Sequence, residues 1–96
     1  IRIGTVVKAE KVPKSNKLLR LKVNTGVDER VILSGISKFY SPEEIINKKV
    51  MVLINLKPRK MMGYESEGML LLAEDSDGKL SLMQPDSQVG DGSIVA

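Results

Sequence analysis

Residues 1–34 are cut into three short runs in which apolar and polar side chains alternate, and this periodicity limits the fold more than any other feature of the chain. Ile1 to Val12 alternates well enough to predict a long strand buried on one face. Pro13-Lys14-Ser15-Asn16 breaks it with turn chemistry. In Lys17 to Asn24, Leu19, Leu21 and Val23 fall on one side and Arg20 and Lys22 on the other. Thr25-Gly26-Val27-Asp28 reads as a hairpin turn, and Glu29 to Ser34 returns. Gly4 predicts a bulge or sharp bend within the first strand, as barrel strands require.

One stretch carries helix signals. Ser41 is a cap residue, Pro42 takes the first helical position, and Glu43 and Glu44 place acids in the first turn. The predicted helix is short, because Asn47-Lys48-Lys49 leads directly into the next apolar run. Val50–Leu56 and Met69–Ala73 are short and continuous, as buried strands are. Glu74-Asp75-Ser76-Asp77-Gly78 forms an acidic turn and lacks the remaining spacing of a calcium loop. Lys79–Met83 is its pairing strand, and the tail from Val89 to Val95 is expected to cover or pair with a sheet edge. Three strands, a short helix and further strands is the order of an OB-fold. The expected architecture is therefore all-β with one short helix: a single domain over residues 1–96, built as a five-stranded antiparallel barrel with the helix plugging one end.

The composition removes most chemistries. Without cysteine or histidine, the chain offers no disulfide, thiolate nucleophile, imidazole base or zinc site of the usual kind, so no metal or cofactor is expected. Ser34 and Ser66 have no histidine partner, a Ser66–Lys60 pair has no distinctive support, and Gly63–Gly68 lacks the phosphate-loop and dinucleotide patterns; catalysis is not expected. No segment has the length of a membrane span or the layout of a signal peptide. A cytoplasmic protein without membrane contact is the expectation, trimmed from something longer because Ile1 already lies in a strand.

Charge gives the sign of the partner. Residues 1–60 hold 14 Lys or Arg against 5 acids, and residues 61–96 hold 1 Lys against 7 acids. Such bias focuses an anion onto one side of a fold, although surface lysines also serve solubility. The densest cations lie in the segment from Asn55 to Met69, read as a loop between two strands. Pro58 stiffens it and holds Lys57 extended, so Arg59 and Lys60 are expected to leave the barrel wall as a held cluster suited to phosphate oxygens. Lys57, Arg59 and Lys60 are the candidate phosphate contacts, Ser66 a donor to phosphate or sugar, and Met69 a surface for a base or ribose. Lys14, Asn16, Lys17 and Arg20 extend that surface from the other side. Glu67 is expected to hold the loop by accepting backbone hydrogens. Phe39, Tyr40 and Tyr64 are the three aromatics, too few for a single-strand stacking platform; Tyr64 is the best stacking candidate, and at least one of Phe39 and Tyr40 is expected to pack.

Asn55-Leu56-Lys57-Pro58-Arg59-Lys60, Gly63 and Glu65-Ser66-Glu67-Gly68-Met69 together resemble the signature of the tRNA-binding domain family. Arg2-Ile3-Gly4 resembles its opening Arg-Val-Gly, Ser34-Gly35-Ile36 its Ser-Gly-Ile, and Val89 to Val95 its closing Val-x-x-Gly-Ser-x-Val. Val12 to Leu18 resembles its His-Pro-x-Ala-Asp-Lys-Leu, with Val12 in place of the histidine and Asn16 in place of the acid, which makes that loop more basic. The family includes the C-terminal appendage of bacterial methionyl-tRNA synthetases, free-standing bacterial tRNA-binding proteins and the module of endothelial monocyte-activating polypeptide. The resemblance implies a non-catalytic tRNA-binding module, the C-terminal appendage of a methionyl-tRNA synthetase or another domain linked to an aminoacyl-tRNA synthetase, that grips the outer corner of folded tRNA and forms a homodimer. The alternative is a dimerisation or protein-docking module, or a signalling fragment, whose basic face is incidental.

Overall fold

In the computed structural model, which describes residues 1–61 and 63–96, nine strands and one short helix follow the expected order. The strands are β1 (Arg2–Lys11), β2 (Leu19–Asn24), β3 (Glu29–Ser34), β4 (Lys49–Leu53), β5 (Arg59–Met61), β6 (Tyr64–Ser66), β7 (Met69–Leu70), β8 (Leu72–Glu74) and β9 (Leu80–Leu82); α1 (Pro42–Ile45) lies between β3 and β4. Five of the strands make one curled antiparallel sheet in the order β3-β2-β1-β4-β7, while β5-β6 and β8-β9 are separate hairpins.

β1 holds the sheet together by serving two neighbours. Its first residues, Arg2 to Thr5, pair with β4, and its later ones, Thr5 to Lys11, pair with β2. The register slips between Val6 and Lys8, a bulge that bends the strand so that it can belong to both halves. The bulge expected at Gly4 thus sits further along. Gly4 has a different reason for its missing side chain: an added Cβ would lie 2.7 Å from a methyl carbon of Val23 and 2.9 Å from the Asn24 carbonyl oxygen.

Alternation along β1–β4 sends Val6, Leu19, Leu21, Val23, Ile32, Val50 and Val52 inward, with Ile36 and Ile45 closing the end of the curl. Each such side chain contributes roughly 1.5–3 kcal/mol through burial. α1 is four residues long and held by a capping box, the Ser41 hydroxyl accepting from the Glu44 N–H and the Glu44 carboxylate from the Ser41 N–H. Tyr40 packs against the core and its hydroxyl accepts the Leu82 N–H, whereas Phe39 is 36% exposed. The run expected as one strand from Met69 to Ala73 is divided, since Leu71 bonds Met51 on one side and Met83 on the other.

The last residues lock onto the first. Ile3 N–H donates to Ser93 O, Gly92 N–H to Ile3 O and Val95 N–H to Ile1 O, so the tail pairs with the start of β1. Asp91 accepts both the Thr5 hydroxyl at 2.6 Å and the Lys49 ammonium at 2.8 Å. Burial acts to raise the Asp91 carboxyl, but the hydrogen bonds from Lys49 and Thr5 and the Lys49 charge outweigh it and hold the group below its ordinary value.

Candidate nucleic-acid interface

The segment after β4 departs from the expected loop: Arg59–Met61 and Tyr64–Ser66 form a β-hairpin, with Gly63 at a φ of 83° at its turn. Its pairing is Arg59 with Ser66 and Lys60 with Glu65. Because successive strand residues face opposite ways, Arg59 and Lys60 stand on opposite faces of this ribbon. The held cluster of neighbouring cations is therefore corrected to two separated groups, Arg59 sharing a face with Ser66 and Lys60 sharing one with Glu65.

Ser66 and Glu67 are what attach the hairpin to the barrel. Among the described residues no strand is laddered onto the outer edge of β3, yet two of its donors are satisfied. Val31 N–H donates to Glu67 Oε1 at 3.0 Å, and Leu33 N–H donates to the Ser66 hydroxyl oxygen at 3.0 Å. In return Glu67 N–H donates to Val31 O at 2.8 Å. The Ser66 hydroxyl spends its one hydrogen on Gly68 O, and the residue is only 3% exposed. Ser66 thus has no hydrogen free for a phosphate, and its expected contact role gives way to a structural one. Gly68 is needed where it stands, since a Cβ would come within 2.8 Å of Leu53 O. Arg30, which sequence reasoning passed over, clamps the base of the hairpin by donating from one guanidinium nitrogen to Ile54 O and Glu67 O.

The loop joining β1 to β2 is equally well held. The Ser15 hydroxyl oxygen accepts the N–H groups of Lys17 and Leu18, and Ser15 N–H donates to Val12 O. Lys14 adopts a φ of 67°, a conformation that glycine or asparagine occupies at lower cost. Lys14, Asn16 and Lys17 are all exposed on this loop.

Arg20 links the hairpin to the sheet. Its guanidinium lies 5.5 Å from the centroid of the Tyr64 ring and donates to Glu10 at 2.7 Å. Beside it the outer surface of β1 and β2 forms an open groove of about 390 Å³ with Lys8, Glu10, Arg20 and Lys22 along it. Lys8, Glu10 and Lys22 were not singled out as site residues. The outward phase of Arg20 and Lys22 was readable, but the strand-to-strand register that assembles the groove was not. Four ion pairs are formed among the described residues, Arg20–Glu10, Lys22–Glu29, Arg30–Asp28 and Lys49–Asp91. Lys14, Lys17, Lys57, Arg59 and Lys60 belong to none of these pairs and are exposed. Met69 is 43% exposed at the start of β7. Tyr64 is half-buried beneath Arg20 rather than standing free.

A curled five-stranded sheet with its helix between the third and fourth strands, carrying cationic loops and a groove on the β1–β2 surface, defines an OB-like binding domain. Residues 1–93 match the family model described as a putative tRNA binding domain. The chain belongs to that family of tRNA-binding domains. It is 55% identical over 95 residues to the methionine–tRNA ligase of Flavobacterium johnsoniae, covering 99% of this chain and 13% of that protein. To the methionine–tRNA ligase of Porphyromonas gingivalis it is 53% identical over 95 residues, covering 99% of this chain and 14% of that protein. The chain therefore spans a small part of the length of these relatives. Among solved structures, a MetRS-related protein from Pyrococcus horikoshii superposes with a TM-score of 0.93 at 44% identity, covering 99% of this chain and 87% of that one. The chaperone CsaA of Bacillus anthracis superposes with a TM-score of 0.89 at 29% identity, covering 99% and 88%.

Proposed function

We propose that this tRNA-binding domain is a non-catalytic appendage of a methionyl-tRNA synthetase that grips the outer corner of folded tRNA through its phosphates. The observation that carries the reading is the set of exposed cations, Lys14 and Lys17 on one loop and Lys57, Arg59 and Lys60 on and beside the hairpin, outside the ion pairs among the described residues. Asn16 adds a neutral donor, and Met69 an apolar surface for a ribose or base. Likeness to the methionine–tRNA ligases supports the link to a synthetase. Tethering would raise that enzyme's hold on tRNA by making a second, weak contact intramolecular. A cytoplasmic location suits such a partner, and among the described residues no helix is long and apolar enough to cross a membrane.

The test is a gel-shift titration with total tRNA across a range of salt. Binding should weaken steeply, with log K falling by about 0.7–0.9 per phosphate neutralised for each unit of log salt. Different tRNAs should bind within a few-fold of one another, because phosphate contacts carry little sequence information. Strong preference for one isoacceptor would refute the mechanism.

A homodimer is part of the same reading. Val27 is 85% exposed and Ile94 71%, and Gly26 packs so closely on the tail that a Cβ there would meet Asp91 O at 2.5 Å. The β2–β3 turn and the tail thus present apolar side chains at one end of the molecule. Sedimentation should give a dimer that Ile94→Asp converts to monomer, and a monomeric parent chain would remove this part of the proposal.

A further inference from the structure

The groove on β1 and β2 contains something a phosphate grip has no use for. Lys8, Arg20 and Lys22 supply three cations, but Glu10 stands among them, and its side chain is 61% exposed. A carboxylate at that position repels phosphate and neutralises Arg20, while Glu29 pairs with Lys22 at 3.4 Å. The groove is also partly apolar, with Val31 and Ile46 contributing to its walls. Its volume of about 390 Å³ falls in the range of about 300–1,000 Å³ typical of small-molecule sites. An elongated backbone track would not need that lining.

Arg20 is prepared in a specific way. Tyr64 covers its guanidinium at 5.5 Å to the ring centroid, Glu10 binds one of its terminal nitrogens, and its Nε is buried without a hydrogen-bond partner. The planar group is thereby held still, and what remains of it lines the groove. Guanidinium planes and aromatic rings are the surfaces on which proteins stack bases that have left a helix. The second oxygen of Glu10 is left as an acceptor at the rim of that plane, where a nucleobase N–H is its complement.

We infer that this groove is a pocket for one unpaired nucleotide projecting from folded RNA. Its base stacks on the Arg20–Tyr64 pair and bonds Glu10 through a ring or exocyclic N–H, and its phosphate is met by Lys8, the groove cation outside the four ion pairs among the described residues. This rests on the RNA-binding reading above and deepens it. The loop and hairpin cations hold the backbone of the fold, while the groove takes a base out of it. Glu10 is then a contact that favours nucleotides over bare phosphate, and Arg20 a stacking group more than a phosphate ligand.

Amide chemical-shift titration of the 96-residue chain with each of the four nucleoside 5′-monophosphates, and separately with inorganic phosphate, tests the inference. Nucleotides should shift the amides of Lys8, Glu10, Arg20 and Lys22, and phosphate alone should bind there at least about fivefold more weakly, since it lacks the stacked base. Glu10→Gln should weaken nucleotide binding by about threefold or more, through loss of a charge-assisted hydrogen bond, while leaving phosphate binding equal or tighter. Tyr64→Phe should retain nucleotide binding, and Tyr64→Leu should lose most of it. Equal binding of phosphate and nucleotides, or tighter nucleotide binding by Glu10→Gln, would overturn the pocket. The same samples are titrated with total tRNA: tRNA bound without nucleotide shifts in the groove defeats this inference alone, and no tRNA bound defeats the reading beneath it.

Discussion

Ser66 shows how residue identity can mislead until its hydrogen bonds are counted. A serine beside three cations invites a role in phosphate binding, but its hydroxyl joins Leu33 N–H to Gly68 O and is nearly inaccessible. Replacing it with alanine leaves the buried Leu33 N–H without a partner, which should cost about 1–3 kcal/mol. Urea unfolding of Ser66→Ala is the measurement, with a lower midpoint at unchanged slope expected. A variant as stable as the parent would mean that water or a shifted backbone replaces the hydroxyl. Glu67 was legible as a structural residue because an acid amid lysines gains little from facing RNA. Arg30 was not, because its partners, Ile54 O and Glu67 O, are 24 and 37 residues away. Nothing local in Glu29-Arg30-Val31 distinguishes a clamp from a surface cation.

At the scale of elements, the alternating runs of β1, β2 and β3 were readable, as was the capped start of α1, because each is dictated by neighbours within a few residues. The β5–β6 hairpin was not. Its strands are three residues each, too short for alternation to register, and Pro58 and Gly63 read equally well as loop residues. Seen as a ribbon, the hairpin holds its cations on opposite faces. Arg59→Ala and Lys60→Ala should each reduce the salt dependence of tRNA binding by about one phosphate if both touch the backbone. Because the pleat separates them, their effects on affinity should add, to within about 0.5 kcal/mol in a double-mutant cycle. A large coupling between Arg59 and Lys60 would show that one phosphate bridges both and that the ribbon twists on binding.

For the whole molecule, the sequence carried the fold class and the polarity of charge, since both are sums over many residues. It showed half of how the sheet is closed: the tail from Val89 to Val95 is legible as the cover of an edge, and it pairs with the start of β1. The other half was not legible, because Ser66 and Glu67 stand in for a strand at the edge of β3 through contacts between residues far apart in the chain. The tail lock has a predictable response to acid. The Asp91 carboxyl is held below its ordinary value of 3.8, so its contribution is complete above that pH and is lost as pH falls through the lower folded-state value. Thermal melts of the parent should show this loss below about pH 4. Asp91→Asn should be less stable at neutral pH by about 1–2 kcal/mol, having lost a charge-assisted bond to Lys49, with a flatter profile in acid. If the two acid profiles coincide, another carboxylate governs the transition.

The bond from Val95 N–H to Ile1 O, with those around it, also bears on how the domain comes into being. Within this domain β1 is synthesised before the other strands, yet part of one of its flanks waits for residues 92–95. Until they arrive, its bare amides and carbonyls are open to any passing β-chain. Closing so wide a span is the slow kind of folding step. The domain should therefore complete its sheet late in folding, and be most prone to sticking to other copies until residues 92–95 have docked on β1.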